Sequence, residues 1–144
     1  MELSKLTMYE FHYDTMKNVY PDSKMMKTDT DSLLYYIETD DVYDDMKTNP
    51  LLQAKIEFSN YPKNHSLYNC YHKKDVNYYQ DECVDGVMKI ISEYVGLRAA
   101  KCYSNKLYCV EDEKFDEKKK AKGISSVHLK KRITHEDYKK CYDG

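Results

Sequence analysis

Apolar and polar positions alternate along this chain in three distinguishable ways. Leu6, Tyr9, Tyr13, Met16 and Tyr20 recur at alternating steps of three and four. That stripe predicts an amphipathic helix with those side chains in the core, Ser4 as its N-cap and Pro21-Asp22-Ser23 as its stop. Lys24-Met25-Met26-Lys27 is apolar with polar interruptions, and Leu33-Leu34-Tyr35-Tyr36-Ile37 favours a buried strand. Between them Thr28-Asp29-Thr30-Asp31-Ser32 reads as a tight hairpin turn. Thr39-Asp40-Asp41 predicts a short helix to about Lys47, with Thr39 as cap and Asn49-Pro50 as stop. Its Asp40, Asp41, Asp44 and Asp45 read as a solvated face. Residues 51–85 lack a period and predict a long ordered loop, because their aromatic content argues against disorder. Lys89–Val95, the stretch from Leu97 to Ser104, and Lys106–Val110 predict strands around a sharp bend, with Ser104-Asn105 as a hairpin turn. Thr134 and Asp137 carry the signature of a capped helix start.

The hairpin carries the first candidate chemistry. Residues two apart on a strand share a face, so Asp29 and Asp31 are expected to look into one cleft. Two close carboxylates need a neutralising cation, and hard oxygen ligands suit magnesium, the metal of phosphate chemistry. Asp and Thr are equally ordinary residues of a solvated turn, so both readings stand. A calcium loop is excluded, because Leu33 and Leu34 fall where ligand and glycine belong. An aspartic protease would need Asp-Thr-Gly.

Composition bounds the rest. The chain has 144 residues, enough for one domain with a real core, and a formal net charge of -2 that names no partner. Acidic residues crowd Asp29 to Asp45, whereas Lys and Arg crowd Lys114 to Lys140. The odd count of five cysteines, with Met1 followed by Glu2 and Leu3 rather than a leader, predicts a reducing compartment and an intracellular protein. No apolar run approaches the roughly 20 residues that span a bilayer, so no membrane partner is expected. Cys70 and His72 lack the paired ligands of a zinc set.

Arg98, Lys101 and Tyr103 alternate cations with an aromatic, a pattern suited to a nucleic-acid backbone. Lys118, Lys119, Lys120 and Lys122 precede Gly123, and Lys130, Lys131 and Arg132 follow it. Such clusters read as a solvated face or as phosphate contacts.

In order along the chain, several of these stretches resemble one family. Thr28-Asp29-Thr30-Asp31-Ser32 is similar to the Tyr-x-Asp-Thr-Asp-Ser signature of family-B DNA polymerases, with Lys27 in place of the tyrosine. Gly96-Leu97-Arg98 with Lys101-Cys102-Tyr103 resembles the Lys-x-Tyr motif at the palm–thumb boundary. Residues 121–124 and 133–138 resemble the entry to the thumb, and residues 3–11 the helix before the carboxylate hairpin. The protein-primed polymerases of viruses, linear plasmids and self-synthesising transposons are the nearest branch.

The resemblance implies an α+β partial palm over residues 1–110 and the start of a basic thumb over 111–144. It implies two magnesium ions, with Asp31 as the shared ligand and Asp29 beside it. Lys101 and Tyr103 would hold the primer end of a primer-template, opposite a deoxynucleotide, with Arg98 and the Lys118–Arg132 stretch along the duplex. The family's Asp-Ser-Leu-Tyr-Pro motif and its nucleotide-gripping lysine motif do not occur in this sequence. The expectation is therefore a polymerase fragment that is inactive without the missing N-terminal half. The alternatives are a non-catalytic nucleic-acid-binding protein and an inactive relic of a mobile element.

Overall fold

The computed structural model describes residues 2–29, 31–98 and 101–144. Thr30 of the carboxylate motif and Ala99 and Ala100 of the stretch read as strand lie outside the described residues. The described chain is α+β, with five helices and two antiparallel sheets. It divides into two compact units, Met1–Glu82 and Cys83–Gly144.

In the first unit, helix α1 (residues 2–19) runs as Glu2–Glu10, passes through a π-helical stretch Phe11–Met16 and ends as Lys17–Val19. The π-helical stretch has the wider i→i+5 repeat, so it rephases the helix and changes which face turns inward. Phe11, Thr15 and Met16 are buried, whereas Leu6, Tyr9 and Tyr13 are exposed. The expected core stripe is thus corrected at three of its five positions. The inward face is fixed by Phe11 stacking on Tyr79 at 4.3 Å and by His12 Nδ1 meeting the Tyr35 hydroxyl at 2.8 Å. Burial pushes that Tyr35 hydroxyl up to about 12, with nearby Tyr79 adding to the shift. Pro21 stops the helix as expected, and the Lys17 ammonium seals the exit by donating to the Ser23 carbonyl at 2.7 Å.

Strands β1 (Lys24–Thr28) and β2 (Leu33–Tyr36) form the expected hairpin. Helix α2 (Val42–Thr48) is capped by Asp41, not Thr39: its Oδ1 accepts from the amides of Tyr43 at 2.9 Å and Asp44 at 3.3 Å. Thr39 instead donates to Asp45 Oδ2 at 2.6 Å, and the Tyr20 hydroxyl donates to the same oxygen at 2.7 Å. Asp45 is therefore a clasp between two segments, not part of a solvated face. Burial pushes the Tyr20 hydroxyl well above the usual phenol range, and the Asp45 bond and charge push it further.

Asn49 ends α2 and caps α3 (Pro50–Gln53), with Pro50 at its first position. The loop that follows is ordered by aromatic packing. Tyr61 is buried with Phe58 at 5.9 Å and His65 at 5.0 Å, and one parallel bridge joins Ile56 to Tyr79. Buried Glu57 accepts from the Ser59 amide and the Gln80 side chain, which outweighs the upward push of burial on its carboxyl.

The second unit is a sheet of β3 (Lys89–Gly96), β4 (Tyr103–Cys109) and β5 (Lys114–Lys120), with β4 in the middle. Ser104 and Asn105 lie inside β4 rather than in a hairpin turn. The turn is made by residues 110–113, where Glu113 takes a left-handed φ of 53°. Residues 110 and 111, where the resemblance divides palm from thumb, fall in that turn. A bulge in β3 at Ser92 changes its phase, so Glu93 pairs with Lys106 and shares a face with Ser104.

That face receives helix α5 (His135–Asp143), which follows α4 (Ser126–Arg132). His135 is buried, with Nδ1 2.7 Å from the Ser104 hydroxyl and Nε2 3.2 Å from Glu93 Oε2. A carboxylate only accepts, so Nε2 carries the proton that meets Glu93. Lys139 donates to the same Glu93 oxygen at 2.6 Å, and the Tyr138 hydroxyl donates to the Lys120 carbonyl. The predicted cap is present in full: Thr134 and Asp137 form a capping box.

Two predictions arise from these contacts. Asp45→Ala strands the Tyr20 and Thr39 hydroxyls and should cost about 1–3 kcal/mol, read as a lowered urea midpoint. Asp45→Asn, which keeps one acceptor, should cost less. The second prediction concerns pH. Lys139 and His135 hold the Glu93 carboxyl below its usual range despite some burial. Burial raises Glu117, but donation from Lys119 and the His135 amide outweighs it, so it too is lowered. A carboxyl depressed in the folded state stabilises it above the unfolded value and ceases to as pH falls through the folded one. The second unit should therefore lose stability as pH falls below the ordinary glutamate value of 4.5. Amide-exchange protection of residues 135–143 should fall with it, and Glu117→Gln should flatten the profile.

Candidate functional site

The hairpin places both candidate carboxylates at its closed end. β1 pairs with β2 from Lys24 opposite Tyr36 to Thr28 opposite Leu33, with a bulge at Met26. The Asp29 amide donates to the Ser32 carbonyl at 2.9 Å and closes the turn. Asp29 and Asp31 thus lie just beyond the strands, where the two-residue alternation no longer governs direction. Asp29 is half-buried and Asp31 is exposed, so the expectation that both face one cleft because of strand alternation does not hold. Two hard oxygen donors stand in one turn, and Asp31 is open to a hydrated cation. Among the described residues no three His, Cys, Asp or Glu side chains cluster as a metal site.

The Lys-x-Tyr stretch belongs to the second unit. Arg98 and Lys101 are exposed in the connection between β3 and β4, and Lys101 adopts a left-handed φ of 55°. A non-glycine residue there stores backbone strain, which puts this lysine among the constrained positions of the chain. Tyr103 differs: it is buried at the start of β4, beside Tyr94 at 6.2 Å. Tyr94 folds over Gly96, whose missing side chain leaves room for the ring, because an added Cβ would lie 2.8 Å from its hydroxyl. Tyr103 pairs with Gly96 across the strands and so packs rather than projects.

Strand alternation splits the basic run. Lys118 and Lys120 are exposed on one face of β5. Lys119 points the other way, where its ammonium is 3.0 Å from Glu117 Oε2 and 2.7 Å from the Ile133 carbonyl. With its side chain only 7 % exposed, Lys119 is a fastening between β5 and the end of α4 rather than a free phosphate contact. Gly123 turns the chain at a φ of +87°, a conformation that favours glycine. Lys122, Lys130, Lys131 and Arg132 are all exposed.

The sequence reading missed Ser104, His135 and Glu93, which place hydroxyl, imidazole and carboxylate in line. This order resembles a nucleophilic triad, yet the Ser104 side chain is fully buried and no reactant reaches it. Its role is to hold α5 on the sheet. The one signal was the Thr134 cap, which set His135 at the start of a helix. The carboxylate partner was hidden by the bulge at Ser92.

No helix of the described residues is long and apolar enough to cross a membrane. Comparison with protein-family models, with curated proteins and with solved structures gives no match for this chain.

Proposed function

We propose that this chain is part of a family-B DNA polymerase of the protein-primed kind: the later portion of a palm and the root of a thumb. The observation that carries the reading is a helix followed by an antiparallel hairpin whose turn holds Asp29 and Asp31. The reaction served would be template-directed nucleotidyl transfer to a DNA primer. Asp31, exposed in the turn, would hold magnesium directly and Asp29 would support it, with substrate phosphates completing the ligand set. When bound, magnesium would offset the charge that develops as pyrophosphate departs.

The chain's own residues divide the remaining work. Lys101, held in a strained turn, would contact the primer end, with buried Tyr103 fixing the strand that follows it. Lys118, Lys120, Lys122, Lys131 and Arg132 would contact duplex phosphates, with Arg98 near the primer. Two-metal transfer needs carboxylates from two strands, and this motif supplies one of them. The other would come from the palm motif that the sequence lacks.

A second reading is a stand-alone nucleic-acid-binding protein without catalysis. It is favoured by the exposed lysines of β5 and α4, which need no metal to act.

Two experiments test these readings. Affinity of the purified chain for a primer-template duplex should fall steeply as salt rises. Replacing Lys118, Lys120 and Lys122 with Ala should reduce the slope of log affinity against log salt by about one for each phosphate no longer neutralised. Binding that ignores salt or these substitutions would overturn the basic-surface role in both readings. For the carboxylates, the chain alone should not extend a primer. Fused to the N-terminal palm half of a protein-primed polymerase, it should extend, and Asp31→Asn should abolish extension while duplex binding persists. Magnesium should also shift the amide resonances of residues 29 and 31–33 in the isolated chain, and Asp31→Asn should remove the shift. Extension by the fused Asp31→Asn variant would refute the metal role.

A further inference from the structure

We propose that the helix-bearing face of the β3–β4–β5 sheet holds a stacking site for one nucleotide of a single-stranded nucleic acid. Phe115 is the platform, and Lys106 and Lys130 are the phosphate contacts. Phe115 is 59 % exposed on β5, a large apolar ring in a strand otherwise made of charged residues. Tyr108, its partner on β4, braces it at 5.1 Å between ring centres, with planes inclined by 51°. Phe115 borders an open groove of about 410 Å³ that is also lined by Lys106, Asp116, Glu117, Lys119 and Lys130.

The charges in this groove are unequal in availability. Lys119 and Glu117 bind each other, and Lys119 also binds the Ile133 carbonyl, so that pair offers a ligand little net charge. Lys130 on α4 is exposed. The Lys106 ammonium lies 5.0 Å from the centre of the Phe115 ring, on a flexible stem. A cation over a ring face is a weak contact where water has access. A nucleotide replaces it on favourable terms, because the base takes the ring face and the phosphate takes the ammonium.

A flat apolar surface beside two lysines selects an unstacked base. Every base has a face to offer, whereas bases inside a duplex are covered by their neighbours. The site shares a ligand class with the proposed polymerase role and one residue of its basic stretch, Lys130, but Phe115 and Lys106 belong to the new site alone. Phe115 and Glu117 pair with Tyr108 and Lys106, whereas Lys118 and Lys120 pair with Asn105 and Tyr103 and project from the opposite face.

The test is fluorescence polarisation of the full chain with labelled oligothymidylate, oligouridylate and a blunt DNA duplex. Phe115→Ala should weaken single-strand binding by about tenfold or more. Phe115→Tyr should retain it, and Phe115→Leu, which keeps the bulk without the ring, should lose it as Ala does. Duplex binding should not change in any of the three. Lys130→Ala should lower the salt dependence of single-strand binding, and the Lys118→Ala/Lys120→Ala pair should act on duplex binding instead. Preference for one oligonucleotide would name DNA or RNA as the source, and either supports the site. Single-strand affinity unaltered in both Phe115→Ala and Phe115→Leu would overturn it. Binding to duplex alone would overturn it while leaving the basic-surface role intact, and binding to neither would sink both.

Discussion

A buried ammonium has to be answered, and in the second unit the answer organises the fold. Lys119 turns inward because strand alternation leaves it no other direction, and it finds Glu117 and the carbonyl that ends α4. Glu117 also accepts from the His135 amide, and His135 bridges Ser104 and Glu93. Removing either partner of such a desolvated pair leaves an uncompensated charge, which costs more than the pair itself contributes. The sheet and both helices are thus tied through one connected set of polar contacts, alongside the buried Leu107, Leu129 and Tyr138.

Much of the fold was legible because its signals are local. The carboxylate hairpin, the Pro21 stop, the Asn49-Pro50 punctuation and the Thr134 capping box depend on residues within a few positions of one another. Failures arose where one inserted residue changes a phase. The π-helical stretch at residues 11–16 rotated the buried face of α1 away from Leu6, Tyr9 and Tyr13, and no propensity scale marks such an insertion. The bulge at Ser92 did the same to β3 and put Glu93 on the face where His135 and Lys139 wait. Thr39 lost the cap to Asp41 because Asp45 offered its hydroxyl a carboxylate across six residues.

The candidate site was legible in composition and less so in geometry. Asp29 and Asp31 do share a hairpin, yet they belong to its turn, so their burial differs. Lys101 is on display as its charge suggested, whereas Tyr103 is packed against Tyr94, an arrangement that depends on Gly96 across the strand pair. The three consecutive lysines looked like one feature. A strand makes them two, since every second side chain changes face.

Among the described residues β5 pairs with β4 alone, so it is an edge strand of the sheet. An open edge is a template on which a second chain can add a strand, the first step towards aggregates. Six of its seven residues, Lys114 and Asp116–Lys120, are charged, and Phe115 alone is apolar. A neighbouring copy in register would bring like charges together and would find no apolar ladder to stack upon. The charged run thus disfavours strand addition by a second copy, with or without a ligand.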